Sequence, residues 1–264
     1  VSMNPFLDLL LRAHPEAEKV LRPWYAFAHE VALSPKKVTE PAIGQIRLKW
    51  WSDAAGEILD PSATPRAHPA VTDWADALTQ AGHRPAPGLV QAMIDAHALD
   101  LEKQPYGDFE ALRADATARW GNQLRVGLQL LEMGDEAHHH AANHVGAAFG
   151  LVMSLYAIAP EAQQGRQAHP DFAMEPEKMD PEARQAASHG TLGQAQYHLD
   201  RAKEILPRPE KRALPVLRLG LAASALIEAA ERAGADPLAL PLPPHVAQTF
   251  ALRLTWAKLR GSYA

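Results

Sequence analysis

The chain has 264 residues, 47% of them hydrophobic and 22% charged, with a formal net charge of −5. That supply of apolar residues suits a buried core, and the acidic balance excludes a broad basic surface for nucleic acid. No cysteine is present, which excludes a disulfide framework, thiolate zinc ligands and cysteine nucleophiles, and fits a reducing cytoplasm.

The chain opens Val1-Ser2-Met3-Asn4-Pro5. No basic stretch followed by an apolar one stands there, so no signal peptide is expected. Nor does any apolar run approach the roughly 20 residues of a transmembrane helix. Strand-like alternation is nearly absent, and apolar residues recur at helical spacing instead. From Pro41, at a position where a helix start tolerates proline, Ile43, Ile46, Trp50 and Ala54 form one stripe, with Trp51 and Ile58 beside it. From Gly88, Leu89, Met93, Ala96 and Asp100 share a face. Leu214, Leu217, Leu221 and Ala225 form a third stripe that stops near Gly234. Close to the C-terminus, Val246, Phe250 and Leu254 make one face and Leu252, Trp256 and Leu259 another, which predicts an internal helix. Proline clusters predict breaks at 61–69, 84–87, 160–181, 207–209 and 237–244. The longest irregular stretch, 159–181, is expected over a functional cavity. No break reads as an interdomain linker. The expectation is one all-α domain over 1–264, a bundle of roughly eight to ten helices.

Several blocks, in order, carry a family likeness. They are Trp24-Tyr25-Ala26-Phe27, Glu40-Pro41 through Trp50-Trp51, His68-Pro69-Ala70-Val71, and Asp100-Leu101-Glu102-Lys103 with Tyr106. Ala116-Thr117-Ala118, Val145 through Leu151, Gly165-Arg166 and Pro170 complete the set. Together they resemble the squalene/phytoene synthase family, across about Pro23 to Leu206. The resemblance implies an isoprenoid synthase-type helical bundle around a central cavity, and enzymes that join two prenyl diphosphates head to head. Such chemistry ionises an allylic diphosphate, and Mg2+ held by carboxylates on facing helices stabilises the departing charge. The DxxxD spacing that supplies them places two acids one turn apart on one helix face.

By the same resemblance the first aspartate pair should fall at Ala32 and Lys36, and the second at Ala157 and Glu161. Only Glu161 keeps a carboxylate, and Lys36 would repel a cation. His29 stands where the enzymes carry an arginine that touches diphosphate. The motifs therefore read as degenerate. The pattern Tyr-Ala-Phe, Glu-Val-Ala, Thr-Glu-Pro and Ile-Gly-Gln-Ile-Arg-Leu-Lys-Trp-Trp also resembles one branch, the mitochondrial complex I assembly factors and their bacterial relatives.

Candidate cavity or substrate-binding residues are Tyr25, His29, Arg47, Trp50, Asp100, Glu161 and Arg166, with Glu161 the one candidate metal ligand. Asp100 on an apolar stripe reads either as a surviving cavity acid or as a structural ion pair to Arg47 or Arg119. Arg47 and Arg166 suit an anionic head group, whereas Arg22 reads as a surface ion pair. Trp50 and Trp51 read first as core packing. The acid pairs Asp53/Glu57, Glu132/Glu136 and Asp171/Glu175 read as solvated faces. His138-His139-His140 with His144 could chelate zinc or nickel, but surface histidines are the simpler reading.

Two functions stand open. One is a non-catalytic protein that binds a prenyl or lipid-like ligand, or a protein partner at the membrane surface during assembly of a membrane complex. The other is an active head-to-head prenyltransferase using displaced acids. No cofactor is expected for the first and Mg2+ only for the second; nucleic acid is not an expected partner. The expected location is cytoplasmic, peripheral to the inner membrane if the assembly-factor likeness extends to function.

Overall fold

The computed structural model describes residues 4–264, and among these the regular structure is helical, with no strand. In chain order the helices are α1 (Pro5–Arg12), α2 (Pro15–Leu33), α3 (Pro41–Leu59), α4 (Pro69–Ala81), α5 (Pro87–Ala96) and α6 (Phe109–Ala116). They continue with α7 (Asn122–Leu130), α8 (Glu136–Ala162), α9 (Pro181–Ile205), α10 (Leu214–Leu217), α11 (Leu219–Arg232) and α12 (Pro243–Arg260). Val1-Ser2-Met3, at the head of the segment tested for a signal peptide, lie outside the described residues.

Proline sets much of this punctuation. Helices α1 to α5, α9 and α12 all open on it, because a helix's first N–H has no partner to lose. Two prolines behave otherwise. Pro23 lies inside α2, and α8 runs through Pro160 to Ala162, so the break expected at 160 comes slightly later. Among the described residues there are twelve helices rather than eight to ten, partly because α1 is too short to register as a stripe and the stripe from Leu214 is split into α10 and α11.

The 27-residue α8 is the axis of the bundle. By length and composition it could cross a membrane, but most of its apolar window is buried among other helices. It crosses a π-helical turn, Thr117–Gly121, that joins α6 to α7. A Cβ at Gly146 would lie 2.3 Å from the Gly121 nitrogen, and one at Gly150 would lie 2.7 Å from the Ala116 Cβ. Only glycine permits this approach. The Val145 to Leu151 block is therefore a helix-crossing surface. Aromatic rings fill the other side of the core: Trp24 lies 4.8 Å from Trp74 and Phe27 lies 5.3 Å from Trp51, centroid to centroid.

Two expected faces are corrected. On α3 the buried side is Gly44, Leu48, Trp51, Ala54, Ala55 and Ile58, so Ala54 of the expected stripe is inside, while Ile43 and Ile46 are 48% and 69% exposed. Gly44 explains the rotation: a Cβ there would meet the Leu101 side chain at 2.1 Å, so the smallest residue marks the contact face. On α12 Val246, Phe250 and Leu254 are buried but Leu252 and Trp256 are 69% and 64% exposed. That helix covers the bundle from outside, against α11 and α1, and is not internal. Leu259, the third member of that face, lies outside the described side chains. The stripe Leu214, Leu217, Leu221 and Ala225 does face the core, but the helix that carries it is interrupted at Arg218, a buried side chain that donates to the Ala257 and Ser262 carbonyls and anchors the C-terminal turn.

Candidate functional site

A cleft of about 160 Å³ opens where α6, the π-turn and the C-terminal end of α8 meet. Leu112, Ala116, Trp120, Met153 and Ala157 form its apolar wall. Its polar wall is an ion-pair network. A wider cavity of about 960 Å³ shares Lys36, Asp100 and Arg166 with it and carries Lys103 and Glu102. The inner chamber is smaller than the roughly 300–1,000 Å³ of ordinary ligand pockets, and the outer one falls within that range.

Local folding explains how the charges meet. Helix α5 ends at Ala96, and a 3-10 turn, His97–Leu101, carries the chain inward. Asp100 is thus presented from a tight turn and not from the end of an α-helical stripe, as its spacing suggests. It still points inward, 9% exposed. The π-turn rotates Arg119 toward it: Arg119 Nη1 donates to both Asp100 oxygens at 2.7 and 2.8 Å. Arg119 Nε donates to Asp115 Oδ1 at 2.8 Å, one turn back, and Nη2 to the Ala96 carbonyl at 3.0 Å. The Tyr106 hydroxyl donates to Asp115 Oδ2 at 2.6 Å. His97 Nδ1 lies 2.9 Å from Asp100 Oδ2 and 3.1 Å from Arg119 Nη1.

Electrostatics follow from burial and this pairing. Burial would raise the Asp100 pKa, but the Arg119 guanidinium and His97 outweigh it and hold the carboxyl well below the usual range. Burial likewise pushes the Tyr106 hydroxyl up and the His97 imidazole down. For Arg119, burial works against the charge and the two aspartates restore it, raising its pKa.

The second cluster bridges the cleft. Lys36, in the 3-10 turn Pro35–Lys37, donates to Glu161 Oε1 at 3.1 Å. Arg166 Nε donates to Glu161 Oε2 at 2.6 Å, and Nη1 to the Asp100 carbonyl. The loop after α8 thus reaches the cleft, as expected of the irregular stretch: Arg166, Gln167 and Ala168 line it. Ala157 and Lys36 also line it, whereas Ala32 does not. All six oxygens of Asp100, Asp115 and Glu161 accept hydrogen bonds from protein donors.

Of the seven candidates, Asp100, Glu161 and Arg166 therefore meet in one cleft. The partner of Asp100 is Arg119, not Arg47. Arg47 and Trp50 instead line a separate hollow of about 280 Å³ with Trp51 and His68, where Arg47 donates to Ser34 and Arg66 stacks over Trp50 at 4.9 Å. Tyr25 is in the core, its hydroxyl unpartnered and its pKa raised by burial. His29 sits on the same helix with a buried, unpartnered Nε2. Neither reaches the cleft.

Sequence reading misses Asp115 and His97, and names Tyr106 only within a family block. Asp115 and Arg119 are four apart beside the apolar pair Leu112 and Ala116, a charged pair on an apolar face, which was the available signal. The histidine run is only partly at the surface: His140 is exposed, and His139 and His144 are half-buried. His138 is buried and pairs with Asp135 at 2.6 Å, and His144 Nδ1 meets His198 Nδ1 of α9 at 2.8 Å. Among the described residues no three His, Cys, Asp or Glu side chains are grouped to hold a metal ion.

Comparisons with known proteins agree with this architecture. The solved squalene synthase HpnC of Alicyclobacillus acidocaldarius superposes with a TM-score of 0.68 at 17% identity, covering 88% of this chain and 95% of that one. The chain is also 27% identical over 132 residues to the NADH dehydrogenase (ubiquinone) complex I assembly factor 6 of Bos taurus and of Mus musculus. That stretch is 50% of this chain and spans 38% of the length of each relative. The model of the squalene/phytoene synthase family matches residues 10–260. The chain belongs to the squalene/phytoene synthase family.

Proposed function

We propose that this chain is a non-catalytic member of its family, in which protein cations take the place of magnesium and the helical framework serves assembly of a membrane complex. The observation that carries this reading is the engagement of every carboxylate oxygen in the cleft. Magnesium requires several oxygen ligands in near-octahedral geometry. Lys36, at a position where the family resemblance puts an aspartate, instead spans the cleft to Glu161. The residues present do not fit a magnesium cluster, and the aspartate motifs are degenerate. The bovine and murine relatives are named as assembly factors, which supports that role here.

Magnesium-dependent stabilisation tests this. A site with a dissociation constant of about 0.1 mM would stabilise the fold by about 2.7 kcal/mol at 10 mM Mg2+. The expected result is no shift in the urea midpoint for the wild type and a gain for Lys36→Asp/Ala157→Asp, which places new carboxylates beside Glu161. A wild-type shift of that size would overturn the reading. The competing reading, an active prenyltransferase, draws on Asp100, Asp115 and Glu161 lining one cleft. It requires Mg2+ to displace Lys36 and Arg119, and the same titration would reveal that.

A further inference from the structure

The hollow around Arg47 is separate from the cleft. It measures about 280 Å³ and sits where α2 ends, beside α3 and the start of α4. Neighbouring lysines of one 3-10 turn diverge here: Lys36 reaches the cleft, while Lys37 lines the hollow. Three rings form its wall. Trp50, Trp51 and His68 pack edge to face, with centroids 4.9, 5.0 and 5.7 Å apart. Phe27 lies 5.3 Å from Trp51, and the Arg66 guanidinium, paired with Glu57, covers Trp50 at 4.9 Å. The wall is therefore fixed by contacts within the protein.

The polar lining is mostly a set of donors. Arg47 uses Nε on Ser34 Oγ at 3.2 Å, and among the described residues its two terminal nitrogens meet no acceptor. His68 Nδ1 accepts from the Ala70 N–H at 3.2 Å, so in the neutral ring Nε2 carries the hydrogen. The same histidine caps α4, which adds the positive end of a 13-residue helix. Glu30 is the acid in the lining, and Lys37 engages it at 3.2 Å. The two acids of α3, Asp53 and Glu57, are taken by Lys49 and Arg66. The unspent charge is the Arg47 guanidinium.

We propose that this hollow binds a small organic carboxylate with a flat apolar body, its oxygens on the Arg47 fork and its ring against Trp50 and Trp51. A guanidinium offers two parallel N–H bonds that match a carboxylate. An aromatic wall already held in place loses little side-chain freedom on binding. The volume lies just below the roughly 300–1,000 Å³ of drug-sized sites, so the ligand is small. The inference stands apart from the cleft and holds whether or not the cleft is catalytic.

The test is fluorine NMR of para-fluorobenzoate titrated with the whole chain. Saturable binding is expected with a dissociation constant of about 1 mM or tighter. The neutral para-fluorobenzamide, followed the same way, should bind at least about tenfold more weakly. Inorganic phosphate, which lacks the ring, should displace the probe only at far higher concentration. Arg47→Gln should weaken binding at least about tenfold, and Arg47→Lys, which keeps the charge without the fork, should fall between. Arg208→Gln, which removes an exposed guanidinium elsewhere, should change nothing. The urea midpoint of each variant separates lost binding from lost folding. No saturable binding below about 10 mM would overturn the proposal. So would full affinity in Arg47→Gln, or affinity lost only in Lys103→Gln, which would put the ligand in the cleft.

Discussion

Replacing Arg119 by leucine should be among the costliest single changes to this fold. The side chain makes two hydrogen bonds to Asp100, one to Asp115 and one to a backbone carbonyl. Its two carboxylate partners are 11% and 5% exposed at the side chain. Removing one partner of a buried pair costs roughly 3–5 kcal/mol, because a charge remains where water cannot reach it. About 4 kcal/mol is therefore expected at pH 7, measured by urea unfolding. The pH dependence carries more information. In the wild type the Asp100 pKa lies below its unfolded value, so its contribution is present above about pH 4 and lost only as pH falls further. In Arg119→Leu burial, the largest influence, is opposed only by His97 and Lys36 and lifts the folded pKa above the unfolded one. The folded variant then binds more protons than its unfolded chain, so its deficit against wild type should shrink as pH falls from 7 to 5. Arg119→Lys keeps the charge without the fork and should lie between the two. A cost under about 1 kcal/mol, or a deficit that stays flat with pH, would refute the reasoning.

Other outcomes follow from the same geometry. Gly146→Ala places a methyl 2.3 Å from backbone nitrogen of the π-turn, with no flexible atom to yield. It should cost about 3 kcal/mol in urea unfolding. Lys36→Met, by contrast, breaks a pair whose lysine is 45% exposed and should cost under about 1 kcal/mol. Burial lowers His169 to about 4, and the ring is wholly enclosed against Thr191 Oγ1 at 2.9 Å. Its neutral form therefore contributes stability above pH 6.5 that is lost as pH falls toward 4, at up to about 1.4 kcal/mol per pH unit. His169→Gln should flatten the acid limb of a stability–pH curve, and an unchanged limb would contradict the assignment.

Fold class was legible because helix-starting prolines and helical apolar spacing agree along the chain, and the ordered family blocks name the architecture. Faces were less legible. Gly44 and Gly146 contact neighbours by lacking a side chain, and a hydrophobicity pattern passes over such residues. Counting only large apolar residues turned α3 outward and placed α12 inside. In the cleft, Lys36, Ala157, Glu161 and Arg166 come together as the family register suggests. The Asp100–Arg119 pair was one of two pairings the sequence left open, whereas Asp115 escaped because a π-turn sets the angle that brings it to Arg119, and local spacing does not encode it. Arg47 and Trp50 looked like cavity residues because they share a helix, yet Gly44 orients that helix by its contact with Leu101.

The most direct test of the central claim is turnover. The purified chain is incubated with farnesyl or geranylgeranyl diphosphate and millimolar Mg2+, and released pyrophosphate and extracted prenyl products are followed together. A cleft whose acids are held by Lys36, Arg119 and Arg166 should release no pyrophosphate above the protein-free control. Steady release with a head-to-head product, abolished by Glu161→Gln, would contradict the account.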